Sequence, residues 1–480
     1  MIPVLTTLLP GFVGTTLPDW LAARLRGGLG GVCLFGPNVE SPTQLKALTD
    51  AILAANPRAV IAIDEEGGDV TRLFAAAGSP SPGNAVLGRL DDLETTREDA
   101  VRIGWALRRA GATVNFAPSV DINSNADNPV IGVRSFGAST DLVSRHGAAW
   151  VSGLQSTGIA ATAKHFPGHG DTAQDSHLAL PVIDRSLPEL HERELAPFAA
   201  AIEAGTRVVM TSHILLPQLD DVAATMSRTV LVDLLRGELG FTGVVVTDAL
   251  DMAGAQAGGG LAEAAVRALR AGCDLLCLGT DNTDEELTRI EEAVAVAVAD
   301  ATWSPDRVQD AADRVLALAA ELEGWRTELA VPDTETPGPS ELDLIGTFDV
   351  SGDAASWLHG AGDSYAVVRL EARPNSATGP TPWGPFAAAD AAFLTHPQFT
   401  VTADQTALPT FGAGEPVLVV GRDIHLHAFA RETVDRLRAN HAAVLVVDMG
   451  WPSDDRRYAD VATNGSSRLM GQALLTFLRG

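Results

Sequence analysis

The chain has 480 residues, 46% of them hydrophobic, only three cysteines and a formal net charge of -27. That acidity argues against nucleic acid or an anionic membrane surface as partner, because both need a Lys/Arg excess on at least one face. Three cysteines supply no disulfide framework for a chain of this length, and no run approaches the ~18 apolar residues of a membrane helix. A cytoplasmic location is the expectation, with two or three domains according to whether one of them is a large α/β barrel.

The first stretch, MIPVLTTLLPGFVG, is apolar but has no Lys or Arg before Arg24 and is interrupted by Pro3, Pro10 and Gly11, so it reads as a strand and not as a leader. Short apolar runs then recur at 31–36, 59–64, 113–118, 159–166, 208–214, 243–250 and 274–279, making eight with the first. Amphipathic stretches such as TQLKALTDAILAA and DLVSRHGAAWVSGLQ lie between them. Continuous apolar strands alternating with helices predict a parallel sheet covered on its outside, and eight such units over residues 1–330 predict a (β/α)8 barrel of the TIM type. Cys273 and Cys277, in the run CDLLCLG, read as buried core thiols.

A stretch rich in Pro, Thr and acidic residues, 331–343, reads as a linker. Beyond it YAVVRLE, PVLVVGRD and AAVLVVDMG alternate with helical stretches, which predicts a smaller α/β sandwich domain over 344–480. Within it, 372–386 reads as a loop, and no catalytic constellation stands out.

Polar residues close several barrel runs: Asp64 the third, Lys164 and His165 the fifth, His213 the sixth and Asp248 the seventh. Barrel active sites lie at the C-terminal ends of the strands. The densest stretch is Lys164 to Pro181, KHFPGHGDTAQDSHLALP, with His165, His169, His177, Asp171 and Asp175 around Gly168 and Gly170. Such a concentration of titratable groups without periodicity reads as an active-site loop. Asp175 stands two residues before His177, where a carboxylate can accept the imidazole N–H, fix its tautomer and raise its basicity. The same side chains are all metal-ligand types, yet Pro167 and the glycines break the helix that would align His165 with His169, and no metal or other cofactor is expected. A serine hydrolase lacks its G-x-S-x-G elbow. Asp248 is either a helix cap or a catalytic carboxylate, with Asp251 better placed to cap or orient. Arg72, after the turn of IDEEGGDVTR, and Arg134, in VRSFG, are either surface ion-pair partners or donors to the hydroxyl groups of a ligand.

Together these stretches resemble glycoside hydrolase family 3, in particular its β-N-acetylglucosaminidase branch. The resemblance covers roughly the first 330 residues. It rests on the GTTLPDWLAARLRGGLGGVCLFGPN opening, the D-x-E-G-G-x-V-x-R segment, R-S-F-G, K-H-F-P-G-H-G-D-T with D-S-H, MTSHI and V-V-V-T-D-A-L-D-M. What it implies is a retaining reaction in which Asp248 forms a covalent glycosyl-enzyme. By the same resemblance His177, tuned by Asp175, would first protonate the leaving oxygen as Asp248 attacks and then activate water. Asp64, Arg72, Arg134, Lys164 and His165 would hold the terminal sugar, with His213 and Met252 bordering the pocket. Glu65 and Asp69 stand where the family commonly has Gln and Arg, adding negative charge to that segment.

The expected activity is therefore an exo-acting β-N-acetylglucosaminidase on a small carbohydrate, a glycan or muropeptide ending in N-acetylglucosamine, with no nucleic-acid or membrane partner. Alternatives within the family are a β-N-acetylglucosaminide phosphorylase and a β-glucosidase. From another class, a non-catalytic sugar-binding barrel is disfavoured by the presence of Asp248, Asp175 and His177.

Overall fold

The computed structural model describes residues 3–172, 180–256, 259–300, 303–334, 336–361, 364–375, 377–412 and 414–480. The chain divides into two compact units, one of Met1–Glu66, Leu93–Ile122 and Ala138–Pro337 and the other of Gly67–Asp92, Asn123–Gly137 and Gly338–Gly480. Two segments inside the span 1–330, Gly67–Asp92 and Asn123–Gly137, thus group with the C-terminal residues.

All eight apolar runs of the first unit contain a strand. These are β1 (Leu8–Leu9), β2 (Gly31–Leu34), β3 (Val60–Ile63), β4 (Val114–Asn115), β5 (Ala160–Phe166), β6 (Val208–Thr211), β7 (Val244–Val246) and β8 (Leu276–Cys277). β2 to β7 form one parallel sheet in sequence order, while β1 pairs with β8. A Val246–Leu275 bridge joins β7 to β8, and the Cys33 N–H donates to the Pro10 carbonyl at 2.9 Å, joining β2 to β1. The ring is thereby closed as a (β/α)8 barrel, which leaves no unpaired edge.

Burial follows the two-residue period of a strand. Val60 and Ala62, Val208 and Met210, and Val244 and Val246 are alternate residues of β3, β6 and β7, and all belong to one buried cluster. The residues between them are buried as well, under the outer helices, which is why the runs read as continuous and not alternating. Cys33, Cys273 and Cys277 are free and buried.

Helices lie where amphipathic periodicity predicts them, for example Pro42–Ala55, Thr140–Gln155 and Pro305–Glu328. The stretch LPELHERELAPFAAAIEAG forms two helices, Leu187–Glu192 and Leu195–Glu203. Pro197 has no N–H to donate to the Arg193 carbonyl, so a continuous helix cannot pass that point.

Asp274, fully buried at the entry to β8, holds the last strands to the outer layer. It pairs with Arg236 and with Arg307 (2.8 Å) and accepts the Val245 N–H at 2.9 Å. Burial raises its pKa, against the pull of the two guanidiniums.

In the second unit the sheet order is β11-β10-β12-β13-β14-β9, where β9 is Asp349–Val350, β10 Ala366–Leu370, β11 Gln398–Val401, β12 Val417–Gly421, β13 Val444–Asp448 and β14 Val461–Ala462. Only β9 runs antiparallel. Val367, Leu418 and Leu445 face one buried cluster that includes Leu474 of helix Arg468–Arg479. Val368, Val419 and Val446 face another, with Val434 of helix Ala428–Asn440. This is a helix–sheet–helix sandwich. The acidic, proline-rich stretch before it ends at Ser340, whose hydroxyl caps the helix Glu341–Gly346. No helix among the described residues is long and apolar enough to cross a membrane.

Asp274→Ala is expected to lower stability by about 3–5 kcal/mol, because two guanidiniums lose their buried partner. Urea denaturation followed by tryptophan fluorescence would measure it, and a loss within error of a surface Asp→Ala control would refute the assignment.

Candidate active site

The ends of β3, β4 and β5 bring together a set of charges that cannot be left unpaired in the interior. Lys164 is 1% exposed, and its ammonium lies 2.7 Å from both Asp64 Oδ1 and Glu66 Oε1. Asp64 stands one residue beyond β3 and Lys164 inside β5, so this triad spans the strand between them. Glu65 alternates with these two carboxylates, and its backbone N–H and carbonyl are clasped by the Asn115 side-chain amide at 2.9 and 2.8 Å.

The ladder between β4 and β5 continues past β4 through a Ser119–Lys164 bridge, and the Val120 N–H donates to the Lys164 carbonyl at 2.8 Å. This extension places Asp121 against His165. Asp121 Oδ2 is 2.7 Å from His165 Nδ1, and its carboxylate also accepts the N–H groups of His165 (3.2 Å) and His169 (2.7 Å) and the Ser119 hydroxyl (3.0 Å). Burial pushes the Asp121 pKa up, but the facing His165 and the hydrogen bonds outweigh it and hold the carboxyl at about 2. Asp121 stands three residues beyond the fourth apolar run, where Asp64 is the last residue of the third, and only the extended β4–β5 pairing brings it to the strand ends. Glu66 has a weak signal, since in IDEEGG only the strand's direction decides which acid faces the lysine.

His169 is buried, its ring 6.0 Å from that of His165 in an edge-to-face arrangement. Burial, then the neighbouring His165, lower its pKa to about 4, with Asp121 and Asp248 among the charges that oppose the shift. His169 is therefore a neutral imidazole at pH 7, within the electrostatic reach of Asp248. Thr172 Oγ1 lies 3.1 Å from its Nδ1. Gly170 permits the close approach of this turn to the barrel: a Cβ there would lie 1.7 Å from the Ile122 carbonyl oxygen. Asp171 is held by Arg193 (2.6 Å) and Arg185 (3.0 Å), which anchors the loop's first arm. Its other arm returns at Pro181, whose carbonyl accepts the Leu215 N–H at 2.8 Å. Asp175 and His177 lie outside the described residues.

Asp248, two residues beyond β7, is half-buried, and its Oδ1 accepts the N–H of Ala249 at 2.8 Å. The turn carrying it is braced from β6. His213, fully buried, donates Nε2–H to the Ala249 carbonyl at 3.0 Å, and its Nδ1 lies 2.9 Å from Thr225 Oγ1. Met252, also buried, donates its N–H to the same carbonyl at 3.2 Å. Asp251 accepts the Thr280 N–H at 3.3 Å, an orienting contact.

Arg72 and Arg134 belong to the second unit. Both are buried: Arg72 donates to the carbonyls of Ala377 (2.7 Å) and Thr378 (3.5 Å), and Arg134 to that of Val130 (3.1 Å). Asp69 is in the same unit, where its carboxylate accepts the N–H (2.9 Å) and hydroxyl (2.7 Å) of Ser466. Burial raises its pKa, and Arg422 opposes the shift.

A parallel barrel with acid, lysine and histidine gathered at the C-terminal strand ends defines the class, a (β/α)8 barrel whose charged residues lie where such barrels carry their active sites. The model of the glycosyl hydrolase family 3 N terminal domain matches residues 17–318, and the chain belongs to glycoside hydrolase family 3. It is 35% identical over 391 residues to beta-hexosaminidase A of Pseudoalteromonas piscicida, covering 74% of this chain but 64% of that enzyme, so it spans less than two thirds of that relative's length. It is 38% identical over 289 residues to a beta-hexosaminidase of Methylobacillus flagellatus, covering 58% of this chain and 82% of the relative. A solved family 3 β-N-acetylglucosaminidase from Paenibacillus sp. superposes with a TM-score of 0.84 at 30% identity, over 100% of this chain and 96% of the other.

The Asp121 carboxyl, at about 2 against 3.8 for a free side chain, contributes stability that is full above pH 3.8 and is lost as the pH falls through 2. The contribution is about 2 kcal/mol at neutral pH. Asp121→Asn should therefore cost that much at pH 7, with the gap to wild type closing in acid; a gap of constant size in urea denaturations from pH 7 to pH 3 would contradict this.

Proposed function

We propose that this protein is a retaining exo-β-N-acetylglucosaminidase that removes terminal β-linked N-acetylglucosamine from small glycans or muropeptides. The observation that carries the reading is the pairing of two features at one barrel mouth. One is a half-buried carboxylate, Asp248, on a turn braced by His213. The other is the Lys164–Asp64–Glu66 and His165–Asp121 arrangement at the ends of β3 to β5. Relatives named as beta-hexosaminidases support the sugar class.

In this mechanism an Asp248 oxygen attacks the anomeric carbon as the bond to the leaving oxygen breaks. His177, with its N–H partner Asp175, delivers the proton that the leaving oxygen takes. In the second half His177 removes a proton from water, whose oxygen attacks the same carbon and frees Asp248. Both steps invert the carbon, so the product keeps the β configuration. Asp64 and Lys164 present fixed charges to the hydroxyl groups of the terminal sugar. Their mutual neutralisation keeps them in place before the ligand arrives, which lowers the ordering cost of binding. His165 binds beside them, its ring orientation set by Asp121. Arg72 and Arg134 are further sugar-binding candidates, and Met252 supplies an apolar wall. His213 acts through Ala249, as a positioning residue for the Asp248 turn.

The test is incubation with aryl β-N-acetylglucosaminide and aryl β-glucoside, each with and without phosphate, and product identification. Hydrolysis confined to the 2-acetamido substrate is expected. Sugar 1-phosphate would point to phosphorolysis instead, preference for the glucoside to a β-glucosidase, and no turnover of either to a binding barrel.

Asp248→Ala should abolish turnover of both activated and poor leaving groups. His177→Ala should slow poor leaving groups by about 10²–10⁴-fold and activated aryl groups far less in the first step, the range general-acid assistance supplies. Equal losses on both leaving-group types would remove His177 from the acid role.

A further inference from the structure

Counted in chain order from β10, the five parallel strands of the second unit lie in the order 2-1-3-4-5. The connection from β10 leads to β11 on one side, and the next connection leads to β12 on the other. In open α/β sheets of this order, the two connections leave a crevice outside the carboxyl ends of the strands, between the first and third, and ligands bind there. In this protein a cleft of about 550 Å³ opens at that position, lined by Arg369 near the end of β10 and by residues that follow β10, β11 and β12. Its size suits a ligand of roughly nucleotide or disaccharide dimensions.

The lining is cationic in a chain whose net charge is -27: three arginines, Arg369, Arg373 and Arg422, face two carboxylates, Glu371 and Asp404. The carboxylates do not consume the donors. Glu371 is paired with Arg369 and accepts the Trp383 indole N–H at 3.1 Å, and it reaches Arg422 only at 3.7 Å. Arg373 and Asp404 pair at 3.0 Å with both side chains largely in solvent, an arrangement worth little. Arg369 Nε is buried without a hydrogen-bond partner among the described residues.

The two inner guanidiniums lie over aromatic rings. Arg422 lies 4.7 Å from the Trp383 ring centre, and Arg369 lies 4.5 Å from that of Phe386 and 5.2 Å from that of Trp383. A guanidinium stacked on an aromatic face keeps its N–H donors in the plane of its edge, where they match a phosphate or carboxylate. The geometry points to a binding site of the second unit for a small organic anion, one phosphate or carboxylate carried on a polar body, seated on Arg422 and Arg369 at the carboxyl ends of β10 and β12.

Isothermal titration of the full chain with glucose 6-phosphate, glucuronate and glucose tests this, since the three share a body and differ in the anionic group. One or both anions should bind at one site per chain and glucose should not; which of the two binds identifies the group recognised. Arg422→Gln should weaken binding by about tenfold or more, as for loss of a charge-assisted hydrogen bond. Ala403→Glu, on the exposed rim of the cleft, should do the same by repulsion while leaving the core intact, with thermal unfolding as the check on folding. Binding of neither anion, equal binding of glucose, or wild-type affinity in the folded Ala403→Glu protein would overturn the proposal.

Discussion

The ammonium of Lys164 is the charge on which the candidate site depends. It is almost wholly removed from water and has two carboxylates at 2.7 Å. Breaking such a group by removing one partner costs far more than the net worth of the pair. The ends of β3 and β5 are therefore held in register by a requirement for neutralisation as well as by their ladders. Asp121 repeats the arrangement one strand over, with His165 as its counter-group. Three acid–base contacts thus tie three strand ends into one polar floor.

That arrangement bears on the function proposed. Groups that must recognise hydroxyls in fixed positions gain from being ordered beforehand, and here the ordering is supplied by interactions internal to the protein. The loop that follows is divided in the same way. Its first arm is tied down by Asp171 between Arg185 and Arg193 and by the close contact of Gly170 with Ile122. Asp248 is set on its turn by His213, a histidine whose two ring nitrogens are both engaged. His213 thus orients the turn through its contacts, and burial holds His169 neutral at pH 7, its pKa lowered to about 4.

The second unit shows the same economy with different chemistry. Arg72, Arg134 and Asp69 make their described contacts within it, to backbone carbonyls and to Ser466. Aromatic faces hold Arg369 and Arg422 in a sheet-end cleft where an acidic chain presents an excess of guanidinium. The negative net charge of the whole chain therefore says little about the local field in this crevice, which is set by a few fixed groups at short range.

Local sequence carried much of this. Eight apolar runs are eight strands because a strand covered on both faces needs no polar alternation, and the polar residues that close the runs had to emerge where the barrel opens. The longer strands and helices of the second unit were legible for the same reason, whereas β9, β11 and β14 are too short or too exposed for a period to register. What composition and spacing could not decide was pairing. Which of Asp64, Glu65 and Glu66 meets Lys164 depends on strand direction and on Asn115 from a neighbouring strand. Asp121 gains its importance from an extension of the β4–β5 ladder that no local pattern announces. The grouping of Gly67–Asp92 and Asn123–Gly137 with the C-terminal residues is likewise a matter of contact between distant segments. Sequence periodicity records which face of an element is buried; only the folded chain determines which buried charge finds which partner, because that choice is made by geometry across strands.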